Sequence, residues 1–216
     1  MPPLEAFGPT IVVGLLLFVM LWFALGTQRN IRRGNDLLRW LQGALPMLGR
    51  RTTLRWLGSS AVELGIVEPE APFREATVLA VLEPRDVAAL WAYARWRGRR
   101  DFVIVRANLR RAPRFSADIR DPRGWTGRAD YVELEEGDET QLWPDGIVAH
   151  VTRGADGAAI RAAWRSLSNT TAGVWRLTVQ PVVPHVEVHF RPPPAATDPA
   201  RVLTPIRDLA EELAGA

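Results

Sequence analysis

Apolar residues run unbroken from Ile11 to Leu25, IVVGLLLFVMLWFAL, fifteen positions with no charge, no Pro and one Gly. Pro9, Thr10 and Gly26 extend the uncharged stretch to eighteen, which meets the lower bound for a helix crossing a hydrocarbon slab of ~30 Å. Eleven of the fifteen are Leu, Ile, Val or Phe, and at roughly −0.3 to −0.6 kcal/mol each they favour insertion by about 3 to 6.5 kcal/mol. A core helix of a soluble domain seldom stays apolar on every face. The pattern therefore predicts a transmembrane helix over 9–27, preceded by a short extracytoplasmic terminus, 1–8.

Beyond it the period changes. Asn30 to Leu48 places Leu37, Leu41, Ala44, Leu45 and Leu48 on one helical face, predicting an amphipathic juxtamembrane helix within 28–49, broken near Pro46. It either lies on the lipid surface or packs on its own domain. From Arg50 the chain alternates in strand fashion. Thr52 to Leu57 and Ala61 to Val67 flank the turn Gly58-Ser59-Ser60 and predict a hairpin. Ala76 to Leu82 reads as a strand covered on both faces. A helix follows Pro84, with Val87, Leu90, Trp91 and Ala94 as its buried stripe and Gly98 as its stop. Asp101 to Leu109 returns as a strand.

A similar unit comes later. Ile147 to Thr152 and Val174 to Val179 read as strands on either side of a helix over Asp156 to Leu167, whose stripe is Ile160, Ala163, Trp164 and Leu167. The Trp91 and Trp164 positions match. The fold class expected is α+β: a single N-terminal transmembrane helix followed by a ferredoxin-like α/β sandwich over 50–191. It would contain two strand-helix-strand units, the extra hairpin and a last strand, Pro184 to Phe190. Arg110 to Gly146 adds turns and two short strands, Phe115 to Ile119 and Tyr131 to Leu134. A Pro-rich linker, 192–203, leads to a C-terminal amphipathic helix over 204–216, capped at Thr204-Pro205, with Ile206, Leu209, Ala210 and Leu213 on one face. Ile206, Leu209 and Leu213 are its candidate partner-binding residues.

Charge adds an orientation. Arg29, Arg32, Arg33 and Arg39 follow the apolar stretch, and only Glu5 precedes it. That bias puts the N-terminus outside and the domain in the cytoplasm at the cell membrane. A cleaved signal peptide would begin with a basic region, which the leader lacks. Trp22 with the four Arg forms the candidate membrane-surface contact, facing a lipid bilayer. All 27 basic residues are Arg, so the sequence pI of 10.4 overstates a net charge of only +3. There is no Cys, which removes disulfides, thiolate ligands and thiol nucleophiles.

Two stretches carry candidate chemistry. In His185-Val186-Glu187-Val188-His189 strand alternation puts both His and Glu187 on one face, a candidate metal set that His150 would complete from a neighbouring strand. The Arg-rich stretch 95–114 is a candidate phosphate surface, but it lacks the aromatic signature of an RNA-recognition sheet, so nucleic acid is the less favoured partner. The acidic run Glu133, Glu135, Glu136, Asp138 and Glu139 lacks the spacing of a calcium loop and reads as solvated. No nucleophile elbow, phosphate loop or dinucleotide fingerprint occurs, and no cofactor is called for. The expectation is a membrane-anchored, non-catalytic scaffold that meets the bilayer surface or another membrane-associated or cytoplasmic protein. A metal-dependent enzyme at His185, Glu187 and His189 is the alternative.

Overall fold

The computed structural model describes residues 8–128, 138–152, 155–170 and 172–215. Helix α1 (Gly8–Gln42) is one run of 35 residues, about 52 Å long. It is long and apolar enough to cross a membrane, and its most apolar 18-residue window is only 6% buried. The helix does not end where the apolar stretch does. No Pro occurs between Pro9 and Pro46, and Gly26 alone weakens a helix without stopping it. The expected separate helices of 9–27 and 28–49 are therefore one continuous rod, followed by a 3-10 turn, Leu45–Met47, that holds Pro46. Gly26, Asn30, Gly34, Leu37 and Leu41 are its buried positions, spaced along one face.

Strands β1 (Gly49–Trp56) and β2 (Ala61–Pro69) form the expected hairpin, with Gly58 at φ +79° where a side chain would be strained. Strand β3 (Phe73–Val81), helix α2 (Ala88–Trp96) and strand β4 (Phe102–Leu109) follow as read from the sequence. Next come β5 (Ala117–Arg120), β6 (Asp138–Leu142) and β7 (Val148–Thr152). Helix α3 (Gly157–Ser168) is capped by Asp156, whose carboxylate accepts from Ala158 N and Ala159 N. Strands β8 (Val174–Val179) and β9 (Val186–Phe190) and helix α4 (Ala200–Gly215) complete the chain. The suggested strand Tyr131 to Leu134 and most of the acidic run lie outside the described residues, while Asp138 and Glu139 open β6.

All nine strands join one antiparallel sheet in the order β1-β2-β3-β4-β9-β8-β5-β7-β6. The architecture is mixed α+β, but a ferredoxin-like sandwich of two equivalent units is not confirmed. β3 and β4 pair directly, so α2 is an excursion within a hairpin. β7 and β8 instead flank β5, so α3 makes a crossover around an inserted strand. Matching stripes do not specify how a unit closes.

The second half of α1, α3 and α4 cover one sheet face. Leu37, Leu41, Trp164, Leu203 and Ile206 pack there against Val105, Leu177, Val188 and Phe190 in one core. The other face carries a small cluster of Phe102, Ile104 and Trp175, with Trp125 against it. α4 starts upstream of the expected Thr204-Pro205 cap: Asp198 Oδ1 accepts from Ala200 N at 3.0 Å, and Pro205 lies inside the helix. Asp198-Pro199 supplies the same cap-then-Pro logic six residues earlier. Ile206, Leu209 and Leu213, expected to meet a partner, are buried in the chain's own core. α2 departs in the opposite sense. Of its expected stripe, Ala94 is buried and Trp91 half-buried, but Val87 and Leu90 are exposed.

Candidate functional site at the junction of the apolar helix and the sheet

Gly26, Asn30 and Gly34 recur every four residues, so they line one stripe of α1. The two glycines let that stripe approach closely. A Cβ on Gly26 would lie 2.1 Å from Arg85 O, and one on Gly34 would lie 2.4 Å from the Trp56 ring. Asn30, between them, is fully buried. Its Nδ2 donates to Glu83 O at 3.1 Å, and its Oδ1 accepts from Arg85 Nη1 at 3.0 Å. A mid-helix amide thus closes hydrogen bonds that the connection after β3 would otherwise leave unmade.

Arg85 is the centre of the junction. Its guanidinium grips Asp101 with two bonds, Nη1 to Oδ1 at 2.9 Å and Nη2 to Oδ2 at 3.0 Å, the fork geometry that suits a carboxylate. Asp101 also accepts from Glu83 N at 2.8 Å, and Arg33 Nε stands 3.6 Å away. Glu83, buried like Asp101, accepts from Trp91 Nε1 at 2.7 Å and has Arg95 Nη1 at 3.5 Å and Arg85 Nη2 at 3.6 Å. From α1, Trp22 Nε1 donates to Arg85 O at 3.0 Å, and its ring meets Trp91 at 6.0 Å. Two buried carboxylates therefore sit among three guanidinium groups and two indole donors. Such a network ties α1 to the connection after β3 through paired and hydrogen-bonded charges.

The expected membrane-surface residues divide here. Trp22 is half-buried in the junction, and Arg33 leans toward Asp101. Arg39 pairs with Asp36 at 2.7 Å. Arg29 and Arg32 are exposed beside the junction. Asn30, Glu83, Arg85 and Asp101 were not singled out from sequence; the only local signal is the Gly-x-x-x-Asn-x-x-x-Gly spacing.

The His-Glu-His strand keeps its alternation: Val186, Val188 and Phe190 enter the main core, and His189 stacks on Phe102 of the opposite face. Each His has protein partners. His185 Nδ1 accepts from Leu109 N at 2.9 Å, while His189 meets Thr126 Oγ1 at 2.8 Å through Nδ1 and Glu187 Oε1 at 2.5 Å through Nε2. His150 lies on β7, three strands from β9, about 14 Å away at the usual strand spacing, and bonds Thr140 Oγ1. Among the described residues no group of three or more His, Asp or Glu is disposed to hold a metal ion. The Arg-rich stretch divides too: Arg95 to Arg100 and Arg110 to Arg114 sit beyond opposite ends of β4, about 24 Å apart, and Arg106 pairs with Glu187 at 2.6 Å.

Burial disfavours the Glu187 carboxylate, but hydrogen bonds from His189 and then Arg106 outweigh it and bring the pKa from 4.5 down to about 2. Burial likewise opposes Asp118, and its bonds to Arg120 and Arg176 hold it below the usual range. A carboxylate depressed on folding stabilises above its unfolded pKa, and that stabilisation disappears as pH falls through the folded value. Glu187→Gln is therefore expected to lower stability by about 1–2 kcal/mol at neutral pH, discounted for partial exposure. The gap to the parent should narrow between pH 4.5 and about 2, as read by thermal unfolding of both proteins across that range. Compared with known proteins, the sequence matches no family model and no curated protein.

Proposed function

We propose that the chain is a single-pass membrane protein whose α1 crosses the bilayer with its N-terminus outside, and whose α+β domain is a non-catalytic scaffold held against the cytoplasmic membrane surface. One observation carries the reading: α1 continues without a break from its exposed apolar half into a half built into the domain by Gly26, Asn30 and Gly34. A flexible tether would let the domain wander, whereas a shared helix holds it at a set height and angle. The same continuity supports retention over cleavage. Ala24-Leu25-Gly26, the small-residue stretch that resembles a signal-peptide site, lies inside the helix with Gly26 packed on Arg85. The Arg bias after the apolar stretch supports the sidedness. Satisfied charges at the junction support holding over chemistry, and the partner served is another membrane-associated or cytoplasmic protein.

A C-terminal tag tests this directly. Protease is expected to spare the tag in intact cells and to remove it in inside-out vesicles, and before any protease is added the chain is expected to carry both this tag and an N-terminal one. Removal of the C-terminal tag in intact cells would overturn the orientation, and a chain that has lost its N-terminal tag before protease is added would overturn the anchor.

A further inference from the structure

Helix α2 keeps three of its large side chains outside. Leu90, Tyr93 and Trp96 are exposed, Trp96 by 79%, as is Val87 just before the helix. Its inner side rests on the junction through Ala94 and Trp91. For a helix facing water this arrangement is inverted. The inner edge of α2 adjoins the apolar half of α1: Trp91 meets Trp22, whose neighbours Leu21, Phe23 and Leu25 are themselves exposed. Arg95, Arg97, Arg99 and Arg100 then close the helix and its exit. Tyr, Trp and Leu on one face with Arg at the end is the composition that settles at a headgroup boundary.

Between α1 and α2 lies a cleft of roughly 670 Å³, walled by Trp22, Arg29, Arg32, Glu83, Trp91 and Arg95. Glu83 is engaged by Trp91 and Arg95. Arg29 and Arg32, one turn apart on α1, have no hydrogen-bond or ion-pair partner among the described residues. We propose that this cleft binds the phosphodiester of an anionic phospholipid in the leaflet from which α1 emerges, with α2 lying in the headgroup layer as its outer wall. The proposal rests on α1 spanning the bilayer. The bilayer is the occupant because the apolar face of α2 adjoins the span and the cleft beside it carries unpaired cations, which suits a negative headgroup over a zwitterionic one.

The absence of Cys makes Tyr93→Cys a single labelling site on the full chain. In vesicles containing phosphatidylglycerol, a fluorophore there is expected to be quenched by lipids carrying a nitroxide at shallow acyl depth. In neutral detergent, short-chain phosphatidylglycerol is expected to raise the melting temperature of the parent, while short-chain phosphatidylcholine and inorganic phosphate do not. The double variant Arg29→Gln, Arg32→Gln should need about 25-fold more phosphatidylglycerol, fivefold for each Arg. Equal responses to both lipids, or an unchanged response in the double variant, would overturn the headgroup site. An equal response to inorganic phosphate would assign the cleft to a free anion and overturn it as well. An unquenched label, whether open to water or covered by a second copy or another protein, would overturn the placement of α2. Extraction of the vesicle-bound chain by alkaline carbonate would defeat the anchor itself; resistance to extraction with failed quenching and titration would defeat this proposal alone.

Discussion

Replacing Asp101 by Ala is expected to lower the stability of the domain by about 3–5 kcal/mol, the cost of stranding a buried charge whose partner has been removed. Arg85 is only 14% exposed at its side chain, and its two-bond contact with Asp101 is its principal neutralisation. Glu83 stands farther off, at 3.6 Å, and is already shared with Trp91 and Arg95. The backbone N–H of Glu83 would lose its acceptor in the same step, so an unmet donor adds to the unpaired cation. Asp101→Asn should cost less, since an amide oxygen can still accept from Glu83 N. Removing both charges with Arg85→Leu and Asp101→Leu should cost less than the sum of the single changes, and a double-mutant cycle in denaturant isolates the coupling. Arg50→Ala is the control. Its pair with Glu70 is open to water, with Arg50 76% exposed, and such pairs contribute about 0–1 kcal/mol. Equal effects at the two sites would show that the junction is not the buried network its geometry describes.

The elements of this fold were legible where the signal is local. The long apolar helix could be read from the run Ile11 to Leu25 alone, because transfer from water to hydrocarbon sums residue by residue. Val174 to Val179 and Phe102 to Leu109 could be read as strands because short β-branched runs have few other uses. What joins them could not. Arg106 and Glu187 pair across 81 positions, and nothing in either strand specifies that β9 inserts between β4 and β8. Helical periodicity has a similar blind spot. It identified an apolar stripe on α2 but not how much of it the domain covers: Ala94 and Trp91 turn inward while Val87 and Leu90 stay exposed. The C-terminal helix gave the opposite result for the same reason: Ile206, Leu209 and Leu213 had to be covered, and the chain's own sheet covers them.

The candidate site was less legible still. Alternation could be read along β9, where Val186, Val188 and Phe190 enter the core, and His185 lies just before the strand; the hydrogen-bond partners Leu109, Thr126 and Arg106 come from distant segments. Asn30, Glu83, Arg85 and Asp101 each look like ordinary surface residues in sequence. Only their convergence makes them a network, and convergence is a property of tertiary structure. An Asn midway between two glycines at four-residue spacing was the one hint, since small residues on a stripe mark close helix approach.

That stripe gives the second large effect. Gly26→Leu is expected to destabilise the full chain by about 3 kcal/mol, at the upper end for overpacking, because the added Cβ would meet backbone on the facing connection, Arg85 O at 2.1 Å and Asp86 Cα at 2.6 Å. Backbone cannot swing aside as a side chain can. α1 must lift, and lifting it separates Trp22 from Arg85 O and exposes Asn30, so several bonds fail together. Helix propensity works the other way, since Leu favours a helix by about 0.8 kcal/mol over Gly. A net loss therefore measures docking and not helix formation. Gly14→Leu supplies the comparison within the same helix: nothing lies within 4 Å of a Cβ there, so the change should leave domain unfolding unaltered. The measurement is thermal unfolding of both variants in detergent, paired with limited proteolysis of the 83–87 connection. Gly26→Leu should melt early and expose that connection to cleavage while α1 keeps its helical content. Parity between the two variants would mean that the domain does not depend on α1 for its seat, and the rigid hold on the span would fall with it.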